Sequence, residues 1–385
     1  MADNVGMRQM CNRDIIIDGW LLAQAGHGMA SYAIRLAKAL AKSRLASRIV
    51  VVVPENAKHC VPVGLHSLVL KNPFCMHPAL AEFVWQNRLG GYVRRHYPDA
   101  VFLALSPFYS WNWPNRSVVV WHDLIPLQFK RYMGRFLFRR FILMARLRRV
   151  RKTSMVITDS RFTASALARY QGTLPPLETI GIWPSPGSGD NRSPGAIDAV
   201  RTKYGLPQRY WLYVGGYDYR KNVECLIEAY GRASDMCECP ALVLAGKIPD
   251  DLRKPVCNIH SAMGKIKLAA RQVCLPGFID SVDMESLYCG AELFVYPSLA
   301  EGFGLPPLEA MACGCPAIVA DTTSLPEVVV DAGYRFSPHP PESLAVLLAK
   351  AAKTPLPMNP GFNRDNFSEK RGMEQYCAVL ERVSS

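Results

Sequence analysis

Short apolar runs alternate with amphipathic segments along the whole chain, and this alternation predicts an α/β protein. In the first half, Ile15 to Ile17 and Ile49 to Val53 are runs of strand-forming residues bounded by turn-forming positions. The segment 31–42 between them carries apolar residues at helical spacing. Repeated strand–helix units of this kind favour a parallel sheet with helices on both faces.

A second strand–helix series begins at Trp211 to Val214 and continues to Ala317 to Val319. The segment 174–194, rich in Pro, Gly and Ser, separates the two series and predicts an interdomain linker. A chain of 385 residues also exceeds what one hydrophobic core usually serves. We therefore predict two doubly wound domains that face a central cleft, one over residues 1–185 and one over 186–366.

The net charge of +13 is concentrated in the first half of the chain. Residues 1–190 contain 25 Lys and Arg against 10 Asp and Glu, a difference of +15, while residues 191–385 contain 20 against 22, a difference of −2. Ten of the basic residues fall within 130–152, which contains no acidic residue. This asymmetry predicts that a partner binds the first half.

If the segment 130–152 is helical, its arginines share a face beside an apolar stripe, which favours an anionic membrane surface. A core-packed helix with a solvated face is the alternative, and no recognised nucleic-acid motif is present, so no nucleic-acid partner is expected. The arginines expected to meet the membrane or an acceptor are Arg131, Arg135, Arg139, Arg140, Arg146 and Arg149.

Two carboxylates, Glu301 and Glu309, flank a glycine-bearing turn between an apolar run, 293–296, and a segment that two prolines can begin as a helix. Glu301 is expected at the carboxyl end of a strand, where open α/β sheets bind ligands, and Glu309 about one turn into the helix. Carboxylates suit the hydroxyls of a sugar and a ribose, and the turn's amides suit a diphosphate. Those amides belong to Gly302, Phe303, Gly304 and Leu305.

A cationic site is predicted after the strand 211–214. Gly215 and Gly216 permit close backbone approach, and the adjacent cations Arg220 and Lys221 can neutralise a departing diphosphate. The sequence leaves open which of the two contacts phosphate. Lys247, at the end of another strand, is a further phosphate or ribose candidate.

The blocks EGFGLPPLE (301–309), RKN (220–222) and HDL (122–124) together resemble the motifs of glycosyltransferase family 4, whose members are retaining enzymes of the two-domain GT-B fold. The resemblance runs from the first strand to the last helix, and it implies that a helix within 367–385 packs back on the first domain. It also implies a sugar contact for His122, which joins Glu301, Arg220 and Lys221 as the catalytic set. Further implied positions are base contacts at Gly277, Phe278 and Ile279 and an acceptor-side glycine-rich loop at Gly26 and Gly28.

By this resemblance the chain is expected to transfer mannose from GDP-mannose, the favoured donor, to a glycan on a polyprenyl diphosphate or similar lipid. Exopolysaccharide or lipopolysaccharide assembly is the implied process. No Asp-x-Asp occurs, so no metal and no other cofactor is expected. The N-terminus lacks a signal-peptide core and no apolar stretch suits a membrane span, so we expect a cytoplasmic protein at the inner face of the plasma membrane.

Three other functions remain open at this point. A nucleotide-sugar epimerase of the same fold would need no lipid acceptor, and a non-catalytic membrane or nucleic-acid binder would be indifferent to Glu301. The glycines near residue 26 are also close to a dinucleotide fingerprint, which favours a NAD-dependent dehydrogenase. The third small position of that fingerprint is Ser31, however, and eight residues separate the strand from the glycines. This spacing is incompatible with the tight turn that the fingerprint requires.

Overall fold

The computed structural model describes residues 14–24, 28–71, 78–107, 116–128, 141, 143–185, 192–247, 257, 259–265 and 273–385. The chain divides into two compact units, one formed by Met1–Ile182 with Ser368–Ser385 and the other by Trp183–Phe367. The division therefore falls three residues before the boundary expected from the sequence.

The first unit contains a seven-stranded parallel sheet with the order β3-β2-β1-β4-β5-β6-β7 in the described part of the chain. An interior strand, β1, pairs Ile15 with Ile49 on one side and with Val101 on the other. Near-continuous apolar runs form these strands because helices cover both faces of a parallel sheet. The strands are β1 (Ile15–Asp18), β2 (Ile49–Val53), β3 (His66–Val69), β4 (Val101–Ala104), β5 (Ser117–Trp121), β6 (Met155–Thr158) and β7 (Leu177–Thr179). The helices described here are α1 (Gly28–Leu40), α2 (Pro78–His96), α3 (Ile125–Gln128), α4 (143–149) and α5 (Arg161–Gln171).

The second unit contains a six-stranded parallel sheet with the order β10-β9-β8-β11-β12-β13 among the described residues. The strands are β8 (Tyr210–Val214), β9 (Ala241–Ala245), β10 (Val273–Gly277), β11 (Leu293–Tyr296), β12 (Ala317–Ala320) and β13 (Arg335–Phe336). The helices are α6 (Pro194–Tyr204), α7 (Val223–Met236), α8 (Ile259–Lys265), α9 (Met284–Cys289), α10 (Leu305–Ala312), α11 (Leu325–Val328) and α12 (Glu342–Lys353). Two Rossmann-like units were predicted from the sequence, and this fold class is confirmed.

Each sheet has one point at which the strand order reverses, between β1 and β4 in the first unit and between β8 and β11 in the second. At such a point the loops that leave the two strands diverge to opposite sides of the sheet, and a crevice opens at the carboxyl edge. The segments after β8 and β11 hold the cations and the carboxylate that the sequence analysis selected.

The predicted linker 174–194 is wrong in part, because Leu177–Thr179 within it forms β7 at the edge of the first sheet. The amide of Val156 donates to the carbonyl of Pro176, and the amide of Ile180 donates to that of Thr158, so the strand is paired at both ends. Prolines are tolerated beside an edge strand because its outer side needs no donors. A three-residue strand has too few positions to show a period of two.

The last helix, α13 (Glu369–Ser384), belongs to the first unit. The hydroxyl of Tyr376 hydrogen-bonds with the hydroxyl of Tyr32 on α1. Arg116 Nη1 donates to the carbonyl of Ser384 at 2.9 Å. These contacts fix one face of α13 against the strands and helices of the first unit.

The described part of the basic segment corrects the prediction for one arginine. Leu143, Arg146, Leu147 and Val150 stand at positions i, i+3, i+4 and i+7 and form the buried face of α4 and the turn after it, with Arg146 only 1% exposed. Arg146 therefore does not lie on an exposed cationic face. Arg149 is half-buried, while Arg131, Arg135, Arg139 and Arg140 lie outside the described residues.

Candidate active site

Four donors converge on one oxygen of Glu301 at the carboxyl edge of the second sheet. Glu301 Oε1 accepts hydrogen bonds from Arg220 Nη1 at 2.7 Å and from Lys221 Nζ at 2.7 Å. Ser298 Oγ donates to it at 2.5 Å and the Tyr296 hydroxyl at 3.1 Å. The cations come from the segment after β8 and the other residues from the end of β11, so the switch point brings the two segments together.

The cluster is largely desolvated, which sets the protonation of its members. Burial raises the pKa of Glu301, but the charges of Lys221 and then Arg220 outweigh it and lower that pKa to about 2. Burial lowers the pKa of Lys221, although the charge of Glu301 raises it. Glu301 is therefore an anion at neutral pH, with its side chain 13% exposed.

Main-chain contacts fix Arg220 in the same place. Its Nη1 also donates to the carbonyl of Ala300 at 2.7 Å, and its own carbonyl accepts the amide of Leu299 at 2.7 Å. Asp218 Oδ1 lies 3.5 Å from Arg220 Nε. Arg220, Lys221 and Glu301 together carry one net positive charge, which Asp218 offsets. A diphosphate must therefore share these cations with Glu301 or displace it.

The loop that carries Glu301 is held by three consecutive hydroxyls for which the sequence analysis assigned no role. Thr322 Oγ1 donates to the carbonyl of Ser298 at 2.8 Å, and Thr323 Oγ1 accepts the amide of Glu301 at 2.9 Å. Ser324 Oγ lies 2.9 Å from the carbonyls of Glu301 and Phe303. In sequence, Thr-Thr-Ser before Leu-Pro-Glu is typical of a helix cap. Here the Ser324 side chain makes no cap bond to α11 and contacts the loop instead.

Glycines allow the backbone of β8 and β9 to approach closely beneath this cluster. A Cβ on Gly246 would lie 1.9 Å from the carbonyl oxygen of Gly215, and one on Gly215 would lie 2.6 Å from the Tyr213 hydroxyl. That hydroxyl donates to the carbonyl of Gly216 at 2.5 Å. The sequence selected Gly215 and Gly216, but the tighter constraint is at Gly246. Lys247 follows it with an exposed side chain.

The helix α10 positions Glu309 and ends the loop. Gly304 precedes α10 with a φ of 112°, and a Cβ there would lie 2.8 Å from Leu325, so this position requires glycine. The two prolines that follow Leu305 have no N–H, which reduces the number of amides that the start of α10 can offer. Glu309 is half-buried, and its Oε2 accepts the hydroxyl of Tyr288 at 3.3 Å.

The remaining donor-side candidates differ in exposure. Gly277 ends β10 with a φ of 78° and has open space where a Cβ would stand. Phe278 is 64% exposed, whereas Ile279 is buried. Of these three, Gly277 and Phe278 are accessible to a ligand. Gly302 is half-buried, and Phe303 is buried against Phe367.

His122 lies at the end of β5 with both ring nitrogens engaged inside the first unit. Nδ1 is 2.6 Å from Asp159 Oδ2, and Nε2 is 2.8 Å from the carbonyl oxygen of Leu105. Both partners are acceptors, so the geometry calls for a proton on each nitrogen. Burial alone lowers the pKa of the imidazole, but the charge and the hydrogen bond of Asp159 reverse this and raise it. The predicted sugar contact of His122 stays a prediction.

On the acceptor side, Gly28 is the first residue of α1 and has open space where a Cβ would stand. Gly26 lies outside the described residues. In the part of the chain that the structure describes, no group of three or more His, Cys, Asp or Glu side chains is arranged to hold a metal. None of the described helices has the length and apolar character needed to cross a membrane.

Comparison with known families matches both units. Residues 26–185 match the model of Glycosyltransferase Family 4, and residues 197–368 match that of Glycosyl transferases group 1. Each of the two Rossmann-like units thus matches a glycosyltransferase domain, as expected for the GT-B fold class. The chain therefore contains one domain that matches Glycosyltransferase Family 4 and one that matches Glycosyl transferases group 1.

Relatives and solved structures agree with this assignment. "Serotype-specific mannosyltransferase WbdA" of Escherichia coli is 33% identical over 245 residues, which cover 62% of this chain and 29% of that protein. "O-antigen chain mannosyltransferase B" of the same species is 31% identical over 266 residues, 65% of each chain. The chain thus spans less than two thirds of each of these relatives.

Two solved structures share the fold at low sequence identity. Anabaena Alr3699/HepE, solved with UDP and glucose, superposes with a TM-score of 0.71 at 19% identity, covering 96% of this chain and 99% of that one. WaaG, a glycosyltransferase involved in lipopolysaccharide biosynthesis, has a TM-score of 0.63 at 16% identity, covering 96% and 98%. The chain therefore has the GT-B fold, and its sequence is similar to mannosyltransferases whose names refer to a serotype and to the O-antigen chain.

Proposed function

We propose that this protein transfers a hexose from a nucleotide sugar, with GDP-mannose as the favoured donor, to a lipid-linked glycan during cell-surface polysaccharide assembly. The convergence of Arg220, Lys221 and Glu301 at the β8–β11 switch point is the observation that carries the proposal. It combines two cations suited to a diphosphate with a carboxylate suited to sugar hydroxyls. The names of the Escherichia coli relatives support mannose as the sugar.

In the proposed reaction, Arg220 and Lys221 stabilise the charge that develops on the diphosphate as the bond between it and the sugar breaks. Glu301 accepts hydrogen bonds from hydroxyls of the sugar, and Glu309 accepts them from the ribose. The amides before α10 give further hydrogen bonds to phosphate oxygens. Transfer with retention of the anomeric configuration, and an α linkage, follow from the family resemblance as part of the proposal.

We further propose that the diphosphate is bound without a divalent metal ion. Arg220 and Lys221 supply positive charge of the kind that a divalent ion would otherwise provide to the diphosphate, and both are already held by hydrogen bonds. The membrane role of the basic segment 130–152 is also part of the proposal. Most of that segment lies outside the described residues, so its support is the charge pattern of the sequence.

The first test is a thermal-stabilisation screen of the purified chain with GDP- and UDP-sugars. A bound donor raises the melting temperature according to its affinity and concentration, so GDP-mannose at about 100 times its dissociation constant should stabilise by about 2.7 kcal/mol. Indifference to every nucleotide sugar would overturn the proposal.

The second test follows the product. Incubation of the selected donor with a polyprenyl diphosphate glycan, with and without EDTA, should give the same extended glycan. Conversion of the donor sugar to an epimer without acceptor would instead identify an epimerase. Activity that is lost on chelation and restored by manganese would contradict metal-independent transfer.

A further inference from the structure

One oxygen of the Glu301 carboxylate carries all the hydrogen bonds that the described residues make to that side chain. Arg220, Lys221, Tyr296 and Ser298 all donate to Oε1. Among the described residues, Oε2 accepts no hydrogen bond, and the side chain keeps 13% of its surface exposed. The carboxylate is thus anchored through Oε1, and the described residues leave the hydrogen-bonding capacity of Oε2 unused.

Two of the four anchors cannot reach a ligand themselves. The side chains of Tyr296 and Ser298 are fully buried, with no exposed surface. Ser298 has a single hydroxyl proton, and the shortest of its three possible acceptors is Glu301 Oε1 at 2.5 Å. These residues can act on a substrate only through Glu301 or its cations.

The Tyr296 hydroxyl links the carboxylate to one cation. It accepts from Lys221 Nζ at 2.5 Å and donates to Glu301. The ring packs near those of Tyr213 and Phe294, with centroid distances of 6.1 and 5.8 Å and interplanar angles of 23° and 24°. Lys221 Nζ also lies 4.9 Å from the ring centroid. These ring contacts and the two hydrogen bonds restrict the movement of the Tyr296 hydroxyl.

We propose that Tyr296 and Ser298 are positioning residues that hold Glu301 by Oε1 and thereby present Oε2 to a hydroxyl of the transferred sugar. The inference rests on the proposed function, and it adds which oxygen meets the sugar and which buried residues orient it. If Tyr296 and Ser298 position Glu301 in this way, their loss should weaken binding of the sugar more than binding of the nucleoside diphosphate.

The test compares two ligands on four proteins. Dissociation constants for GDP and GDP-mannose, or for the equivalent pair found by the screen, are measured on the wild type, Tyr296→Phe, Ser298→Ala and the double variant. We expect the preference of each single variant for the nucleotide sugar over the nucleoside diphosphate to fall about tenfold, the size of one hydrogen bond to a charged group. The double variant should lose more of this preference than either single variant, and its kcat should also fall.

Tyr210→Phe is the matched control. Tyr210 is also fully buried in the second unit, and its hydroxyl donates to the main-chain carbonyl of Leu287 at 2.7 Å. Its loss should lower the melting temperature without changing the ratio of the two dissociation constants. A lower melting temperature alone in Tyr296→Phe would mean that Tyr296 has only a structural role.

A second readout needs no ligand. In protein labelled with 13C at glutamate carboxyls, the Glu301 signal is identified by its loss in Glu301→Gln. In the wild type it should stay ionised down to below about pH 4, since its pKa is near 2. In the double variant its titration should move to higher pH because two hydrogen bonds to the charged form are gone.

The outcomes separate the two proposals. Equal weakening of GDP and GDP-mannose would overturn the inference, because it would place the effect on the phosphate through Lys221. An unchanged Glu301 titration would overturn it as well. If the wild type binds no nucleotide sugar, the proposed function and the sugar contact both fail, while the titration still reports whether Tyr296 and Ser298 hold the carboxylate.

Discussion

The Glu301 cluster of the second unit and the His122–Asp159 pair of the first both place charges at the carboxyl ends of parallel strands, yet they are built differently. Glu301 has two cations and two hydroxyls on one oxygen, and none of the described residues donates to its second oxygen. His122 has one acceptor on each nitrogen, and its partner Asp159 is 2% exposed. The first arrangement leaves bonding capacity for a ligand, and the second leaves none on the imidazole nitrogens.

The comparison shows that a charged residue at a strand end is an incomplete signal for a functional site. The two sites differ in whether neighbouring elements engage both polar atoms of the side chain, as they do for the His122 ring, or only one, as they do for the Glu301 carboxylate. In the first unit Leu105 and Asp159 satisfy both nitrogens of His122. We therefore expect changes in the His122 pair to act mainly on stability and changes in the Glu301 cluster to act mainly on activity.

The largest effect is expected from Asp159→Ala, which leaves His122 buried beside no counter-charge. Removing one partner of a buried ion pair typically destabilises by about 3–5 kcal/mol. Hydrogen exchange of the amides in β4, β5 and β6 during denaturant titration measures this loss in the first unit. Glu178→Ala is the control, because its pair with Arg382 is exposed and should contribute less than about 1 kcal/mol. Equal hydrogen-exchange protection in Asp159→Ala and Glu178→Ala would contradict the predicted difference between the buried and the exposed ion pair.

For the second cluster, Glu301→Ala should lower kcat/KM by about 10² to 10³ because a contact to the reacting sugar is lost. The change is measured as transfer from the donor that the thermal screen selects. Glu292→Ala removes an exposed acid that pairs with Arg209 at 2.7 Å in the same unit and should leave turnover unchanged. Liposome binding should persist in both variants. Full activity of Glu301→Ala would contradict the assignment of Glu301 to the active site.

The two clusters should also respond to pH in opposite directions. The folded-state pKa of His122 is raised, so its stabilisation is present below its unfolded value of about 6.5 and is lost as the pH rises through the folded value. The folded pKa of Glu301 is lowered to about 2, so its contribution is present above about 4.5 and is lost as the pH falls toward 2.

The predicted pH dependence of His122 is checked by the melting temperatures of the wild type and Asp159→Asn between about pH 5 and pH 9. The difference in melting temperature between the two proteins should narrow as the pH rises. Nitrogen chemical shifts of the His122 ring give an independent measurement, because the raised pKa predicts that both nitrogens are protonated at pH 6 in the wild type. A neutral ring at pH 6 would contradict the hydrogen-bond assignment.

The smallest effect per residue is expected on membrane binding. Replacing Arg135, Arg139 and Arg149 by glutamate should weaken binding to anionic vesicles by roughly 1 kcal/mol for each basic residue that lies near the surface. Arg94→Glu and Arg95→Glu on α2, both at exposed positions of the same unit, are the control. Arg146→Ala should lower stability and leave vesicle binding nearly unchanged, since Arg146 is buried. Equal vesicle binding in all variants would mean that the basic segment has no role in membrane binding.

Much of the fold could be predicted because its signals are local. Continuous apolar runs such as Ile49–Val53 and Tyr210–Val214 identified buried strands, and Pro306 and Gly304 marked the start of α10. The edge strand β7 was missed because three half-buried residues between prolines carry no period. The prediction for Arg146 was wrong because its spacing from Leu143 and Leu147 places it on the buried face of α4 despite its charge.

The sequence by itself determined the residues of the candidate site and the strand ends at which they stand, because a parallel α/β unit places such ends along one edge. Only the tertiary structure decided their bonding, since a hydrogen bond depends on atoms that distant segments bring within about 3 Å. Thus Thr323, 22 residues beyond Glu301, holds the amide of Glu301, and Asp159, 37 residues beyond His122, fixes the charge of that ring. The sequence pattern predicts which side chains lie near the carboxyl edge of the sheet, and tertiary packing determines which of them remain available to a ligand.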